Sequence, residues 1–318
     1  MSITVTVDNF KRAESHHYFR SFVGQAGVGV FGHRRTPTAI DQQDVIRMNR
    51  DTLYSAGMFD LDAAPVTVML PDAGARFMSM QVIDEDHYTH GVVYRSGAST
   101  FTREQIGTRY VLLLVRTFVD PTDPSDIARV HALQDAVGIA QAQRGEFVVP
   151  DWDAASLTRM RTALNAVTAA NGGIDSARMF GSRDVVDPVQ HLLGTAAGWG
   201  GNPVTDAYYT GGIPDQNDGK TPYRLTVKDV PVDGFWSISV YNKDGFFERN
   251  DRGVYSLNNV TAQRETDGAV TVQFGSCEGG TGNCIPISPG WNYVVRLYRP
   301  RKEVLDGSWK FPEATAVR

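Results

Sequence analysis

Residues 45–55, V-I-R-M-N-R-D-T-L-Y-S, constrain this chain more than any other stretch. Extended backbone sends successive side chains to opposite faces. Read as a strand, it puts Val45, Arg47, Asn49, Asp51 and Leu53 on one side and Ile46, Met48, Arg50, Thr52 and Tyr54 on the other. A half-buried strand normally has one oily face and one wet one. Here both faces carry hydrogen-bonding groups. A protein interior tolerates such a network only where nearly every member finds a partner. The segment is therefore either a structural pin or the wall of a polar pocket.

Around it the pattern is mainly β. The chain has 318 residues, enough for about two domains of typical size. Short runs rich in Val, Thr, Tyr and Phe alternate with turn residues, as antiparallel sheets require. Residues 1–120 are expected to form an N-terminal β module, 121–212 a helical insert and 213–318 a C-terminal β-sandwich or jelly roll. Within the first module, V-T-V-M-L-P and R-F-M-S-M-Q-V-I flank D-A-G-A and predict a hairpin. G-T-R-Y-V-L-L-L-V-R-T-F-V predicts a central strand ending near Arg116. A helix is expected over 8–23. Two more follow in the insert, one capped at Ser125 or Asp126 and running to about Ala142, the other over 153–171. A short apolar helix then leads into G-W-G-G-N-P, where flexible glycines present Trp199 as a lid, platform or plug. From Tyr223 onward Y-R-L-T-V-K-D-V, G-F-W-S-I-S-V-Y, A-V-T-V-Q-F-G and W-N-Y-V-V-R-L-Y-R-P predict four strands, with Trp309 in the tail across an edge.

Charge and composition exclude several functions. The formal net charge is -5 with no block of like charges, so the basic face that binds phosphate backbones is missing and no nucleic-acid partner is expected. No apolar run approaches the roughly 18 residues that span a bilayer. The first ten residues lack the basic and apolar regions of a secretory signal. As given, the chain reads as cytoplasmic, or as periplasmic if an export signal has been removed. Cys277 and Cys284, the two cysteines, sit across a Gly-rich spacer and fit a disulfide and free thiols equally.

Familiar motifs fail on context. Gly27, Gly29 and Gly32 with Asp51 downstream spell a dinucleotide signature, yet a helix-like segment precedes them and Pro37 follows, the reverse of the strand–turn–helix that signature needs. Gly275-Ser276-Cys277-Glu278-Gly279 mimics a nucleophile elbow but leads into glycines instead of a helix. Walker A and zincin motifs are absent, and no cofactor or metal is expected. Asp84, Asp86, Tyr88 and His90 share an extended face opposite His87, a second polar cluster. A metal at Asp86, His87 and His90 would need a turn between the histidines, and solvated loop charge is the simpler reading.

The residues that could carry chemistry are thus Asp51 as base, Tyr54 as proton donor, and His33 or His90 as a partner titrating near neutral pH. Asn49, Arg50, Arg47, His87, Arg116 and Trp199 are the candidates for holding a substrate.

N-R-D-T-L-Y-S, F-D-L-D-A-A-P-V-T-V-M-L-P-D and M-Q-V-I-D-E-D-H-Y resemble the N-terminal module of a bacterial family known as domain of unknown function 1254. The C-terminal run from F-W-S-I-S-V-Y-N to L-D-G-S-W-K-F-P resembles its usual partner, domain of unknown function 1214. The resemblance implies two tandem β-sandwich or jelly-roll modules, often oligomeric, and supplies no reaction. Members often carry an export signal, which this chain lacks at its start. The expectation is a cofactor-independent hydrolase or lyase acting on a small carbonyl or carboxylate compound in a polar pocket between the modules, as a homo-oligomer. The alternative is a non-catalytic ligand-binding or scaffold protein.

Overall fold

A computed structural model describes residues 2–43, 47–172, 175–279 and 282–317. Val45 and Ile46, at the head of the polar stretch, lie outside the described residues. By contact the chain divides into two compact units: residues 1–35, 53–118 and 128–204, and residues 36–52, 119–127 and 205–318. The fold is mainly β, with sixteen strands in four sheets among the described residues.

The first unit begins with helix α1 (Phe10–Ala26), whose buried face carries Phe10, Ala13 and Phe19. Strands β1 (Phe31–His33), β2 (Thr52–Asp60), β3 (Val66–Leu70), β4 (Met78–Asp84), β5 (Thr89–Val93) and β6 (Gly97–Phe101) follow, then a turn of helix, α2 (Arg103–Ile106), and β7 (Tyr110–Phe118). Every residue of β4 and β7 is buried; the near-continuous apolar run of β7 requires it, while β4 buries Ser79, Gln81 and Asp84 as well. Both sit inside a five-stranded sheet ordered β1-β2-β7-β4-β5. Helix α3 (Pro124–Asp135), strand β8 (Gly138–Gln141) and helices α4 (Ala154–Ala170), α5 (Ser176–Met179) and α6 (Pro188–Gly198) complete the unit.

Three local expectations are corrected. Residues 47–51 are not a strand, since β2 starts only at Thr52. β3 and β4 do not form a hairpin: β3 pairs with β6 and β8, while β4 pairs with β5 and β7. The turn between them joins two sheets, and alternation alone cannot name a strand's partner. Helix α3 ends at Asp135 instead of near Ala142, because residues 138–141 add an edge strand against Val66 to Met69.

The second unit holds β9 (Ala207–Gly212), β10 (Tyr223–Val227), β11 (Trp236–Tyr241), β12 (Ser256–Asn258), β13 (Val270–Phe274), β14 (Cys284–Ile285), β15 (Asn292–Tyr298), a short helix α7 (Lys302–Leu305) and β16 (Thr315–Ala316). They form two four-stranded sheets, β14-β13-β10-β16 and β12-β11-β15-β9. One core lies between them. Tyr223, Leu225, Val227, Val272 and Phe274 enter it from one sheet, and Trp236, Ile238, Val240, Val295 and Leu297 from the other. Trp309 in the tail packs on this core. Cys277 and Cys284 are joined in a disulfide.

A polar centre on the second unit's sheet

The β12-β11-β15-β9 sheet has a second face, and its alternation is hydrophilic. Ser237, Ser239 and Tyr241 interleave with the core residues of β11, as Asn292, Arg296 and Tyr298 do along β15. The register sets Ser237 opposite both Asn258 on β12 and Arg296 on β15. A row of hydrogen-bonding groups therefore crosses three strands.

Residues 47–51 are tied to this face. Arg47 has φ +56 and donates its N–H to Gly245 O at 2.7 Å. Arg296 Nη2 donates to Arg47 O (2.7 Å) and to the Tyr241 hydroxyl (2.8 Å), and Nη1 to Ser239 Oγ (3.0 Å). Tyr241 passes its own proton to Met48 O at 2.7 Å. Asn49 Nδ2 donates to the Tyr298 hydroxyl (2.6 Å), while its Oδ1 accepts the Asp51 N–H (2.7 Å). Arg50 donates to Thr38 O and lies 5.3 Å over the Tyr255 ring.

Asp51 breaks the pattern. It is 1% exposed, and its carboxyl faces the Ser237 and Asn258 side chains without a hydrogen bond of good geometry to either oxygen. Burial pushes its carboxyl up from the usual range; the charge of Arg296, hydrogen bonding toward the Ser237 and Asn258 side chains, and the charge of Arg50 pull the other way. Burial likewise raises the Tyr241 phenol. Arg296 keeps its proton firmly despite its burial, since Tyr241, Tyr298 and Asp51 surround it. A fixed cation, a phenol and a carboxyl inclined to hold its proton are the parts of a general acid–base site. Sequence reading missed Arg296, Tyr241, Ser237, Asn258 and Tyr298. The signal was present: in W-S-I-S-V-Y every second residue is polar, and in N-Y-V-V-R-L-Y all but Val294 of those off the core are.

The other candidates fall in the first unit. His87 sits at φ +67 and is 2% exposed. The Thr195 hydroxyl spends its proton on His191 O (2.8 Å), so it accepts from His87 Nδ1 (2.9 Å), and His87 Nε2 accepts the Gly200 N–H (2.8 Å). That fixes one neutral tautomer. Burial, with His191 and Lys11 nearby, lowers its pKa well below the usual value. Its ring lies in a column of five: Tyr88 on His191 (4.5 Å), His191 on His87 (5.5 Å), His87 on Trp199 (5.2 Å) and Trp199 on Tyr18 (4.4 Å). Trp199 also donates Nε1–H to Ser15 Oγ at 3.1 Å.

Arg116 is buried and clamped by Gln81 Oε1 (2.7 Å), Gly200 O (2.6 Å) and Asn202 Oδ1 (3.2 Å), 5.5 Å over the Tyr54 ring. His33 Nδ1 shares a hydrogen bond with Ser55 Oγ (2.8 Å); burial and Arg35 lower its pKa. His90 Nε2 meets Asp84 Oδ2 at 3.0 Å, a partly exposed imidazole–carboxylate pair. A buried relay that the sequence did not announce joins Trp152 Nε1–H to His16 Nδ1 (3.0 Å) and His16 Nε2 to Glu85 (2.8 Å). Among the described residues no three His, Cys, Asp or Glu gather where a metal ion could sit, and no helix is long and apolar enough to cross a membrane.

Solved structures of the same fold come from two bacteria. The VPA0106 protein of Vibrio parahaemolyticus superposes with a TM-score of 0.76 at 18% identity, covering 98% of each chain. An uncharacterised protein from Burkholderia cenocepacia gives 0.55 at 14% identity, over 97% of this chain and 87% of that one. No curated protein matches. Residues 28–105 match the model of DUF1254 and residues 207–302 that of DUF1214, each described as a protein of unknown function. The chain thus belongs to the family in which a DUF1254 module precedes a DUF1214 module.

Proposed function

We propose that the protein is a cofactor-independent enzyme of hydrolase or lyase type, acting on a small carbonyl or carboxylate compound at the polar centre of its second unit. One observation carries the reading: a fully buried carboxyl, its pKa raised by that burial, beside Ser237, Asn258 and a fixed arginine. Burying a carboxyl so completely is costly unless it is fully paired. In this reading Asp51 delivers a proton, Arg296 steadies the anionic form that remains, and Tyr241 orients both.

A second reading, a ligand-binding or scaffold protein, draws support from the completeness of Arg296's own bonds to Arg47 O, Ser239 and Tyr241, which pin the 47–51 segment by themselves. The shared core between two four-stranded sheets favours a sandwich for the second unit. The Cys277–Cys284 bond favours an oxidising compartment such as the periplasm.

Asp51→Asn separates the two functions. Assayed against a panel of small esters, lactones and hydroxy acids, the variant is expected to lose about 100-fold or more in kcat while staying folded. Unchanged kcat, or no turnover by the wild type on any panel member, refutes the enzyme.

A further inference from the structure

A cleft of about 180 Å³ opens on the second unit beside Tyr241. Its lining includes the aliphatic Val240, Val254, Ile285 and Ile287. It also includes Tyr241, Asn242, Glu248, Arg249, Tyr255 and Ser288, so most of the lining is polar. We propose that this cleft binds a neutral polyhydroxylated ring of monosaccharide size; the inference stands apart from any chemistry at Asp51.

Size comes first. A cavity of roughly 150 Å³ takes a benzene ring, so this cleft admits a single six-membered ring with its substituents. It is smaller than the roughly 300–1,000 Å³ that hold drug-sized ligands, so it seats one ring at a time.

Charge comes next. Glu248 and Arg249 are neighbours of opposite sign, and Arg249 is also answered by Asp41 at 3.3 Å. An anionic ligand would meet Glu248 and a cationic one Arg249. A neutral molecule meets neither penalty and can use both as hydrogen-bonding groups.

The hydrogen-bonding inventory then asks for many hydroxyls. Glu248, the Tyr255 and Ser288 hydroxyls and the Asn242 Nδ2 donor make no hydrogen bond within the protein among the described residues. They supply acceptors, donors and groups that act as either. Asn242 is held in its turn by its own Oδ1, which accepts the N–H groups of Asp244 (3.1 Å) and Phe246 (3.0 Å), so its amide nitrogen is the end left over. Tyr255 is held too: Arg50 lies over its ring at 5.3 Å, and Phe247 meets it edge-on at 6.0 Å. A ring whose edges are hydroxylated and whose faces are C–H suits that mixture of aliphatic and hydrogen-bonding lining. A flat aromatic ring would leave the hydrogen-bonding groups unanswered.

The test is ligand-observed NMR with the intact protein and five probes: methyl glucopyranoside, myo-inositol, cyclohexanol, benzoate and benzylamine. Both polyols are expected to bind in the millimolar range and more tightly than the other three. Glu248→Gln, an exposed change that leaves the fold alone, should weaken them about tenfold, the worth of one good hydrogen bond. Tyr255→Ala should abolish binding. The proposal falls if benzoate or benzylamine binds more tightly than the polyols, if neither polyol binds, or if Glu248→Gln leaves their affinity unchanged.

Discussion

Replacing Arg296 by methionine tests the polar centre most severely. The side chain is buried and donates to Arg47 O, Ser239 Oγ and the Tyr241 hydroxyl at 2.7–3.0 Å. Met48 O keeps its bond from Tyr241, but Arg47 O loses the guanidinium and Asp51 loses its principal source of positive charge. Removing one partner of a buried charged group typically costs about 3–5 kcal/mol, and the same is expected here. Asp51→Asn should cost far less, within about 1 kcal/mol of zero, because the amide keeps a hydrogen-bonding group beside Ser237 and Asn258 while a desolvated carboxyl is removed. If part of the Arg296→Met penalty is the stranded carboxyl, the double variant must be milder than the sum of the singles by about 1–2 kcal/mol, within the range for residues in direct coupling. Urea unfolding gives all four stabilities, compared at constant m-value. Additivity within about 0.3 kcal/mol, or an Asp51→Asn cost matching that of Arg296→Met, would refute the picture of an unmatched carboxyl held by a self-sufficient arginine.

Acid should destabilise the protein through its stacked histidines. His87 and His191 both have folded pKa values lowered by burial, so below about pH 6.5 the unfolded chain binds more protons and stability falls as pH drops. The slope should reach about 1.4 kcal/mol per pH unit for each such group, and His87→Asn should remove part of it between about pH 7 and pH 5; an unchanged slope refutes the neutral tautomer. Asp51 works in the opposite sense: its raised pKa means its burial costs least in acid, so Asp51→Asn should help stability more at pH 7 than at pH 4. Gly211→Ala addresses the sheet itself. At φ +152 a Cβ would lie 2.1 Å from Tyr293 O, so the change should cost about 3 kcal/mol or more, against about 1 for Gly268→Ala, which has φ +87 and open space. Equal melting temperatures for the two variants would show that the backbone between β9 and β15 gives way.

Much of this fold was legible from periodicity. β10 alternates buried and exposed as Y-R-L-T-V predicts, and the continuous apolar run of β7 sits inside its sheet. What failed was pairing. The β3 and β4 sequences carry the alternation of a hairpin, but which strand a strand joins is decided by contacts far along the chain. The same limit hid the polar centre. Asp51 could be singled out because charge crowded its own neighbourhood, whereas Arg296 stood alone in an apolar strand and gained meaning only from Ser237 and Asn258 beside it. Residues 47–51 were read as a strand because their side chains are spaced like one. Arg47 at φ +56 and the Asn49–Asp51 turn bend them instead, and the carbonyls that a strand would give to a neighbouring strand go to Arg296 and Tyr241.

That substitution bears on why Asp51 is present at all. Pinning 47–51 to the sheet needs donors for the carbonyls of Arg47 and Met48, and Arg296 and Tyr241 supply them without help from a carboxylate. Holding Asn49 needs the Tyr298 hydroxyl, which is in place. Asp51 contributes backbone bonds that any residue would make: its N–H to Asn49 and its carbonyl to the Val119 N–H. Its side chain adds a desolvation cost that Arg296, Ser237 and Asn258 offset only in part. An asparagine there would keep the polar neighbours Ser237 and Asn258 but not the counter-charge to Arg296. Proteins break their own local rules mainly where function demands it. In the proposed enzyme the demand at Asp51 is for a proton held in a dry place beside a fixed positive charge.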